Sequence, residues 1–176
     1  TAAQLNEPET FFPLKVFTCH HCFLVQVDEY KKSDAIFTNE YAYFSSYSTS
    51  WLKHAKAYTE MMISRFGFNE TSQVVEIASN DGYLLQYFKE KNIPVLGIEP
   101  TANTAEVAME KGIRTVVDFF GVSLANRLRD DWALKADLLL GNNVLAHVPD
   151  IIDFVEDFGS LGLQYGIDRF LRGAPW

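Results

Sequence analysis

From Gln73 onward the chain repeats one rhythm, a short apolar run followed by a helical pattern, and this alternation constrains the fold more than any other feature. Gln73 to Ala78, Pro94 to Glu99, Ile113 to Val117 and Ala136 to Gly141 read as strands. Tyr83 to Lys91, Thr104 to Lys111, Leu124 to Arg129 and Ile151 to Phe158 read as helices. Strands that are apolar throughout and separated by single helices predict a parallel sheet covered on both faces. The expected class is therefore a doubly wound α/β arrangement, Rossmann-like, with right-handed crossovers. Upstream, Leu52, Ala55, Tyr58, Thr59, Met62, Ile63 and Phe66 recur at three- and four-residue spacing and predict an amphipathic helix over 51–66, closed by Gly67. Residues 33–50 are rich in aromatic and hydroxyl side chains without a regular period and read as a connector. Pro13 to Phe17 and Phe23 to Val27 predict two short strands joined by a cysteine turn. The expected division is a small cysteine-containing module over 1–32, a connector and helix over 33–70, an α/β domain over 71–158 and an unassigned tail over 159–176.

Charge and cysteine usage narrow the function classes. With 15 Lys+Arg against 23 Asp+Glu the formal charge is −8, and the basic residues do not cluster, so nucleic acid is excluded as an expected partner. No apolar run approaches the roughly 18 residues of a spanning helix, and residues 1–9 carry neither a basic nor an apolar leader pattern. The cytoplasm fits best, with no membrane partner. The two cysteines stand as Cys19-His20-His21-Cys22, a spacing used for metals or redox chemistry far more than for structural bridges. A start at Thr1 and a close on Arg172-Gly173-Ala174-Pro175-Trp176 lead us to expect a fragment of a longer protein.

In open parallel sheets ligands bind beyond the carboxyl ends of the strands. After the first strand of the α/β domain comes Glu76-Ile77-Ala78-Ser79-Asn80-Asp81-Gly82, with a helix expected to open near Gly82 and aim its free amides at the ligand. Glu99 ends the second strand seventeen positions past Gly82, near the spacing of roughly 20 at which a carboxylate accepts from ribose hydroxyls. Asp118-Phe119-Phe120 follows the third strand, and Gly141-Asn142-Asn143-Val144-Leu145-Ala146-His147 the fourth. A pyrophosphate needs close backbone approach and hence Gly-x-Gly-x-x-Gly, where this turn has Ala78, Asn80 and Gly82. That pattern suits a nucleoside cofactor without a pyrophosphate, of which S-adenosylmethionine is the commonest. Taken alone, the same turn also reads as an ordinary strand-to-helix connection with Asp81 as N-cap; Glu99 favours the ligand.

Four ordered motifs carry a resemblance. They are Tyr43-Phe44-Ser45-Ser46-Tyr47-Ser48-Thr49-Ser50-Trp51-Leu52-Lys53-His54, Val75 to Leu85, Gly97-Ile98-Glu99-Pro100-Thr101, and Asn142 to Asp150. Together, over about Pro13 to Val155, the chain resembles the S-adenosylmethionine-dependent sugar C-methyltransferases, which act on nucleotide-linked deoxy-keto-hexoses and typically install a methyl branch on C3. The resemblance implies a zinc-binding N-terminal module, a class I methyltransferase fold and a further C-terminal domain that helps hold the nucleotide sugar. It implies that Glu76, Ala78, Asn80 and Gly82 line the methionine end of the cofactor, that Glu99 holds the ribose, and that Asp118 and Phe119 flank the adenine. Tyr43 and the neighbouring serines are implied to close over the cofactor, and Asn142 to join the cofactor site. Asn143 and His147 lie four apart and share one face if a helical turn begins there; that pair, with Tyr43, is the candidate catalytic set, His147 for proton transfer or substrate positioning.

Cys19 and Cys22 are the candidate zinc ligands, two of the four that a structural Zn²⁺ wants. The resemblance implies a second cysteine pair upstream. His20 and His21 could substitute, although adjacent residues do not readily ligate together. At the far end the family pattern stops after Phe158, and 159–176 matches none of it. A sheet that ended with the fourth strand would expose Leu138-Leu139-Leu140 as an apolar edge and open a route to self-association. The expected function is thus methyl transfer to a carbon of a nucleotide-linked keto-sugar, or the cofactor-binding part of such an enzyme. The alternatives are a non-catalytic S-adenosylmethionine-binding module and another nucleoside-binding Rossmann enzyme.

Overall fold

The computed structural model describes residues 4–156 and residue 161. The chain divides into two compact units, Thr1–Ile36 and Phe37–Trp176, so the boundary falls slightly later than the 32/33 division expected from sequence. In the first unit β1 (Val16–Thr18) and β2 (Val25–Val27) pair antiparallel, with Phe17 opposite Gln26. The cysteine turn joins them: Cys19 N donates to Leu24 O and Phe23 N to Cys19 O, both at 2.9 Å, with Phe23 left-handed at φ 61°. A one-turn helix, α1 (Ser33–Ile36), ends the unit.

The second unit opens with a 3-10 turn at Ser45–Tyr47 and then α2 (Thr49–Phe66). Ser48 caps α2 by accepting from Trp51 N at 3.3 Å, and Gly67 ends it at φ 70°, donating to Ile63 O at 2.8 Å. Ala55, Thr59 and Met62 form the buried face, as the spacing predicts. The remaining elements are β3 (Val74–Ile77), α3 (Leu85–Lys89), β4 (Val95–Ile98), α4 (Ala102–Glu110), β5 (Thr115–Val116), α5 (Val122–Asp130), β6 (Leu138–Gly141) and α6 (Ile151–Glu156). The four strands form one parallel sheet in the order β5-β4-β3-β6. Counted within the domain, that is third, second, first, fourth.

Alternate residues of the central strands feed two cores, which is why those strands are apolar on both faces. Val74, Leu138 and Leu140 pack with Met62, Leu85 and Phe88; Val75 and Leu139 pack on the other face with Leu96, Leu124 and Leu128. β6 pairs with β3 and has no second strand neighbour among the described residues, yet Leu138, Leu139 and Leu140 are all buried between the helical layers. Leu161 is buried as well, and its carbonyl accepts from Ala136 N at 3.1 Å. Apart from Leu161, the tail over 159–176 and the last two residues of the expected 151–158 helix lie outside the described residues. No helix among the described residues is long and apolar enough to cross a membrane.

Two local expectations need correction. The helix expected to open near Gly82 begins only at Leu85 and runs five residues, because Ala78, Asn80 and Gly82 are left-handed at φ 54°, 50° and 73° and cannot enter a right-handed helix. Downstream, the turn after β6 is a 3-10 helix at Leu145–His147, and Asn143 precedes it at φ 55°. Asn143 and His147 therefore do not stand on one helical face.

Candidate functional site

The site is built on the loop that leaves β3. Three left-handed residues in alternation fold Ala78 to Gly82 into a tight turn, in which Gly82 N donates to Ser79 O at 3.0 Å. The Gly82 amide is thus used within the loop, and no long helix aims free amides from here. A Cβ at Gly82 would come within 2.4 Å of Ile113 Cδ1 and 3.3 Å of Ala108 Cβ. Close packing against α4 and the segment before β5, together with the positive φ, accounts for glycine at this position.

Glu76 lies inside β3 and is fully buried, and Asn142 Nδ2 donates to its Oε1 at 3.1 Å. Burial pushes the Glu76 carboxyl up to about 8, against the hydrogen bonds offered by Asn142 and Tyr83 and with added push from Glu99 and Asp81. The shift favours the protonated acid over the carboxylate. The Tyr83 hydroxyl is driven upward too, first by burial and then by Glu76, so burial disfavours the charged form of both groups. Tyr83 stacks on Trp51 at 5.8 Å between centroids, and Trp51 stacks on His54 at 5.2 Å.

Glu99, at the end of β4, meets the loop. Its Oε2 accepts from Asn80 N at 2.8 Å, and its Oε1 accepts from Thr101 N at 2.9 Å and from the Thr101 hydroxyl. A carboxylate has about four acceptor positions; three are occupied, which leaves one on Oε2 for a further hydroxyl. Tyr41 lies near this carboxylate, its hydroxyl pushed upward by partial burial and then by the charges of Glu99 and Tyr43.

The Asn80 side chain points back to the connector. Its Oδ1 accepts from Ser45 N at 2.8 Å and its Nδ2 donates to Tyr43 O at 3.0 Å. Ser46 N donates to Asp81 Oδ2 at 3.2 Å. The resemblance implies that Tyr43 and its serines close over the cofactor, and no sequence signal pointed to Lys111, whose Nζ donates to both Ser46 Oγ (3.0 Å) and Asp81 O (2.7 Å). No local pattern marks a lysine at a helix end for that task.

Asp118 and Phe119 stand at the end of β5 and line a cleft of about 280 Å³ with Gly121, Ser123 and Asp153. Asp118 Oδ2 accepts from Arg127 Nη2 at 2.9 Å while Oδ1 accepts from Phe119 N. Phe119 is 42% exposed, which leaves it a surface to offer a ligand. Thus Glu76 joins Asn142, and Glu99 joins Asn80 and through it Tyr43, while Asp118 and Phe119 lie in the neighbouring cleft. Asn143 and His147 are exposed on the loop after β6.

Five buried polar side-chain atoms among the described residues have no hydrogen-bond partner, and three of them, Glu76 Oε2, Ser79 Oγ and Asp81 Oδ1, belong to this loop and the strand end before it. Each such atom costs about 1 to 3 kcal/mol unless something satisfies it. With the acceptor position left on Glu99 and the aromatic cleft beside it, the residues present fit a polar nucleoside. In the first unit the amides of Cys22 and then His21 hold the Cys19 thiol below its usual range, which favours the ligating thiolate. Both cysteines are free, and among the described residues no third His, Cys, Asp or Glu joins them, so the turn fits half of a tetrahedral zinc site.

The chain is similar in sequence and in fold to known proteins. Residues 1–37 match the family described as "Putative zinc binding domain". Over 153 residues the chain is 30% identical to the C-methyltransferase NovU of Streptomyces niveus, covering 87% of this chain and 36% of that protein; the chain therefore spans about a third of its curated relative. A SAM-dependent methyltransferase from Archaeoglobus fulgidus superposes with a TM-score of 0.52 at 17% identity, over 64% of this chain and 48% of its own. A protein from Methanococcus maripaludis described as a "putative s-adenosyl-l-methionine-dependent methyltransferase" does so with a TM-score of 0.53 at 16% identity, over 80% of this chain and 64% of its own. The α/β unit has the fold of the S-adenosylmethionine-dependent methyltransferases.

Proposed function

We propose that this chain is the cofactor-binding part of an S-adenosylmethionine-dependent C-methyltransferase whose acceptor is a nucleotide-linked deoxy-keto-sugar. The observation that carries the cofactor reading is the end of β3 and the loop after it, where Glu76, Ser79 and Asp81 hold unpaired polar atoms and Asn80 N donates to Glu99. The acceptor reading rests on the resemblance of the four motifs and on the likeness to a C-methyltransferase. When bound, S-adenosylmethionine supplies an electrophilic methyl group.

The chain's residues have separable tasks in this reading. Glu99 accepts a ribose hydroxyl at the position left on Oε2, while Asp118 and Phe119 hold the adenine edge and face. Glu76 Oε1, accepting from Asn142 Nδ2, orients that amide. Methylation at C3 beside a C4 ketone requires removal of the C3 proton and donors for the enolate oxygen. His147, exposed on the loop after β6, is the group we assign to the proton, with Asn143 as a donor.

Calorimetric titration with S-adenosylhomocysteine, S-adenosylmethionine and NAD tests the cofactor. Binding of the first two without NAD is expected; NAD binding without S-adenosylhomocysteine would overturn the reading. Incubation with methyl-labelled cofactor and a nucleotide-linked 4-keto-hexose tests the acceptor. Cofactor binding with no label on the sugar would leave a non-catalytic binding module.

A further inference from the structure

We infer that Lys111 is a positioning residue for the cofactor site: with Asn80 it clasps the 41–47 segment onto the β3 loop, so that cofactor exchange requires the clasp to open. The inference rests on the proposed function for its cofactor, and on side-chain geometry for the clasp.

Segment 41–47 is irregular apart from one 3-10 turn, so its backbone groups find their partners outside regular structure. The loop side provides them. Asn80 uses both ends of its amide, accepting from Ser45 N and donating to Tyr43 O. Asp81 Oδ2 accepts from Ser46 N, and Asn103 Nδ2 donates to Tyr41 O at 2.7 Å. Lys111 ties the two sides together. From the C-terminal end of α4 its ammonium reaches Ser46 Oγ at 3.0 Å on the segment, and on the loop it reaches Asp81 O at 2.7 Å and Asp81 Oδ2 at 3.4 Å.

Charge makes Lys111 the sensitive member. The Asp81 side chain is 2% exposed, and Lys111 is the cation paired with it. A buried carboxylate deprived of its counter-charge repels acceptors around it and loses its own reason to stay in place. The same loop residues meet the proposed ligand site, because Asn80 N donates to Glu99 Oε2. Opening the segment therefore releases Asn80, and Asn80 in turn loosens the carboxylate assigned to the ribose. The role of Asn80 changes accordingly: its side chain is committed to the clasp, and its effect on cofactor passes through Glu99 and Tyr43.

The experiment compares wild type, Lys111→Met and Ser46→Ala by S-adenosylhomocysteine binding kinetics and by amide hydrogen exchange. Lys111→Met should speed S-adenosylhomocysteine dissociation about tenfold and raise Kd by a similar factor. The amides of Ser45 and Ser46 should exchange at least tenfold faster in the unliganded variant, with those of Val75 and Leu96 unchanged. Ser46→Ala keeps Lys111 paired with Asp81 and should shift both readouts in the same direction by a smaller factor; it decides the matter if Lys111→Met fails to fold. Lys111→Arg, which keeps the charge, should recover most of the protection. Unchanged exchange at Ser45 and Ser46, or unchanged dissociation in a variant whose segment has loosened, would overturn the inference. If wild type binds no S-adenosylhomocysteine the proposed function fails, and the exchange rates at Ser45 and Ser46 still decide whether the clasp exists.

Discussion

Replacing Glu76 by glutamine isolates the consequence of burying an acid in the central strand. Glu76 is completely buried, and desolvation, followed by the charges of Glu99 and Asp81, raises its carboxyl from 4.5 to about 8 against the hydrogen bonds from Asn142 and Tyr83. The folded state therefore holds a proton that the unfolded chain releases between those values. Stability falls wherever the native state binds more protons than the unfolded one as pH rises. The loss starts near pH 4.5 and is complete near pH 8. At ~1.36 kcal/mol per pH unit, a span of about 3.5 units amounts to roughly 5 kcal/mol, and the part incurred by pH 7 is roughly 3 kcal/mol.

Glutamine has nearly the same shape and keeps an oxygen for Asn142 Nδ2, but it has no proton to lose. The variant should resemble wild type in stability near pH 5 and exceed it progressively toward pH 8, the gap growing by about 3 kcal/mol. Titrating groups that do not interact with Glu76 contribute equally to both chains and cancel. Urea unfolding followed by tryptophan fluorescence at pH 5, 6, 7 and 8 measures the gap. A difference that stays constant across this range would refute the assignment of a buried, protonated Glu76.

The remaining predictions concern single residues. Glu99→Gln should weaken S-adenosylhomocysteine binding by about 1 to 3 kcal/mol, because an amide nitrogen cannot accept from both Asn80 N and a ribose hydroxyl; calorimetry showing equal affinity would remove Glu99 from the site. Gly82→Ala should destabilise the chain by about 2 kcal/mol or more, since it combines a left-handed backbone with a 2.4 Å approach to Ile113 Cδ1; a denaturation midpoint equal to wild type would contradict the packing account. His147→Ala should leave S-adenosylhomocysteine affinity unchanged while lowering label transfer to a keto-sugar at least tenfold, about 1.4 kcal/mol of transition-state stabilisation; equal transfer would reduce His147 to a surface residue.

The parallel sheet was legible because its cause is local and repeated. Val74, Val75, Leu138 and Leu139 are apolar in succession because adjacent residues feed opposite cores, and no half-exposed strand produces that pattern. The amphipathic face of α2 was legible for the same reason. The shape of the β3 loop was not. Ala78 and Asn80 adopt positive φ without being glycine, and no single residue announces that choice; the loop is held by contacts with Ser45, Glu99 and Ile113 that lie 19 to 35 positions away in the chain.

The same separation explains which site residues sequence could name and which it could not. A carboxylate or amide at the carboxyl end of a parallel strand can serve a ligand or a neighbouring loop, and residue type does not distinguish them. Glu99 serves both sides, with three acceptor positions committed to Asn80 and Thr101 and one left. Asn80 commits its side chain wholly to the 41–47 segment, and Asp118 commits one oxygen to Arg127, nine residues on along α5. Counting donors against acceptors therefore ranks these residues by what each still has to offer a ligand: Asp118 first, with two of about four positions taken by Arg127 and Phe119, Glu99 next with one left, and Asn80 through its neighbours. Affinity for S-adenosylhomocysteine in the Glu99→Gln, Arg127→Ala and Asn80→Ala variants should accordingly depend on different things: on the lost acceptor in the first, on the orientation of Asp118 in the second, and on the exchange rate of the Ser45 amide in the third. Only the third should lose its effect if the 41–47 segment is already loosened by Lys111→Met, because coupled residues show non-additive changes where independent ones do not.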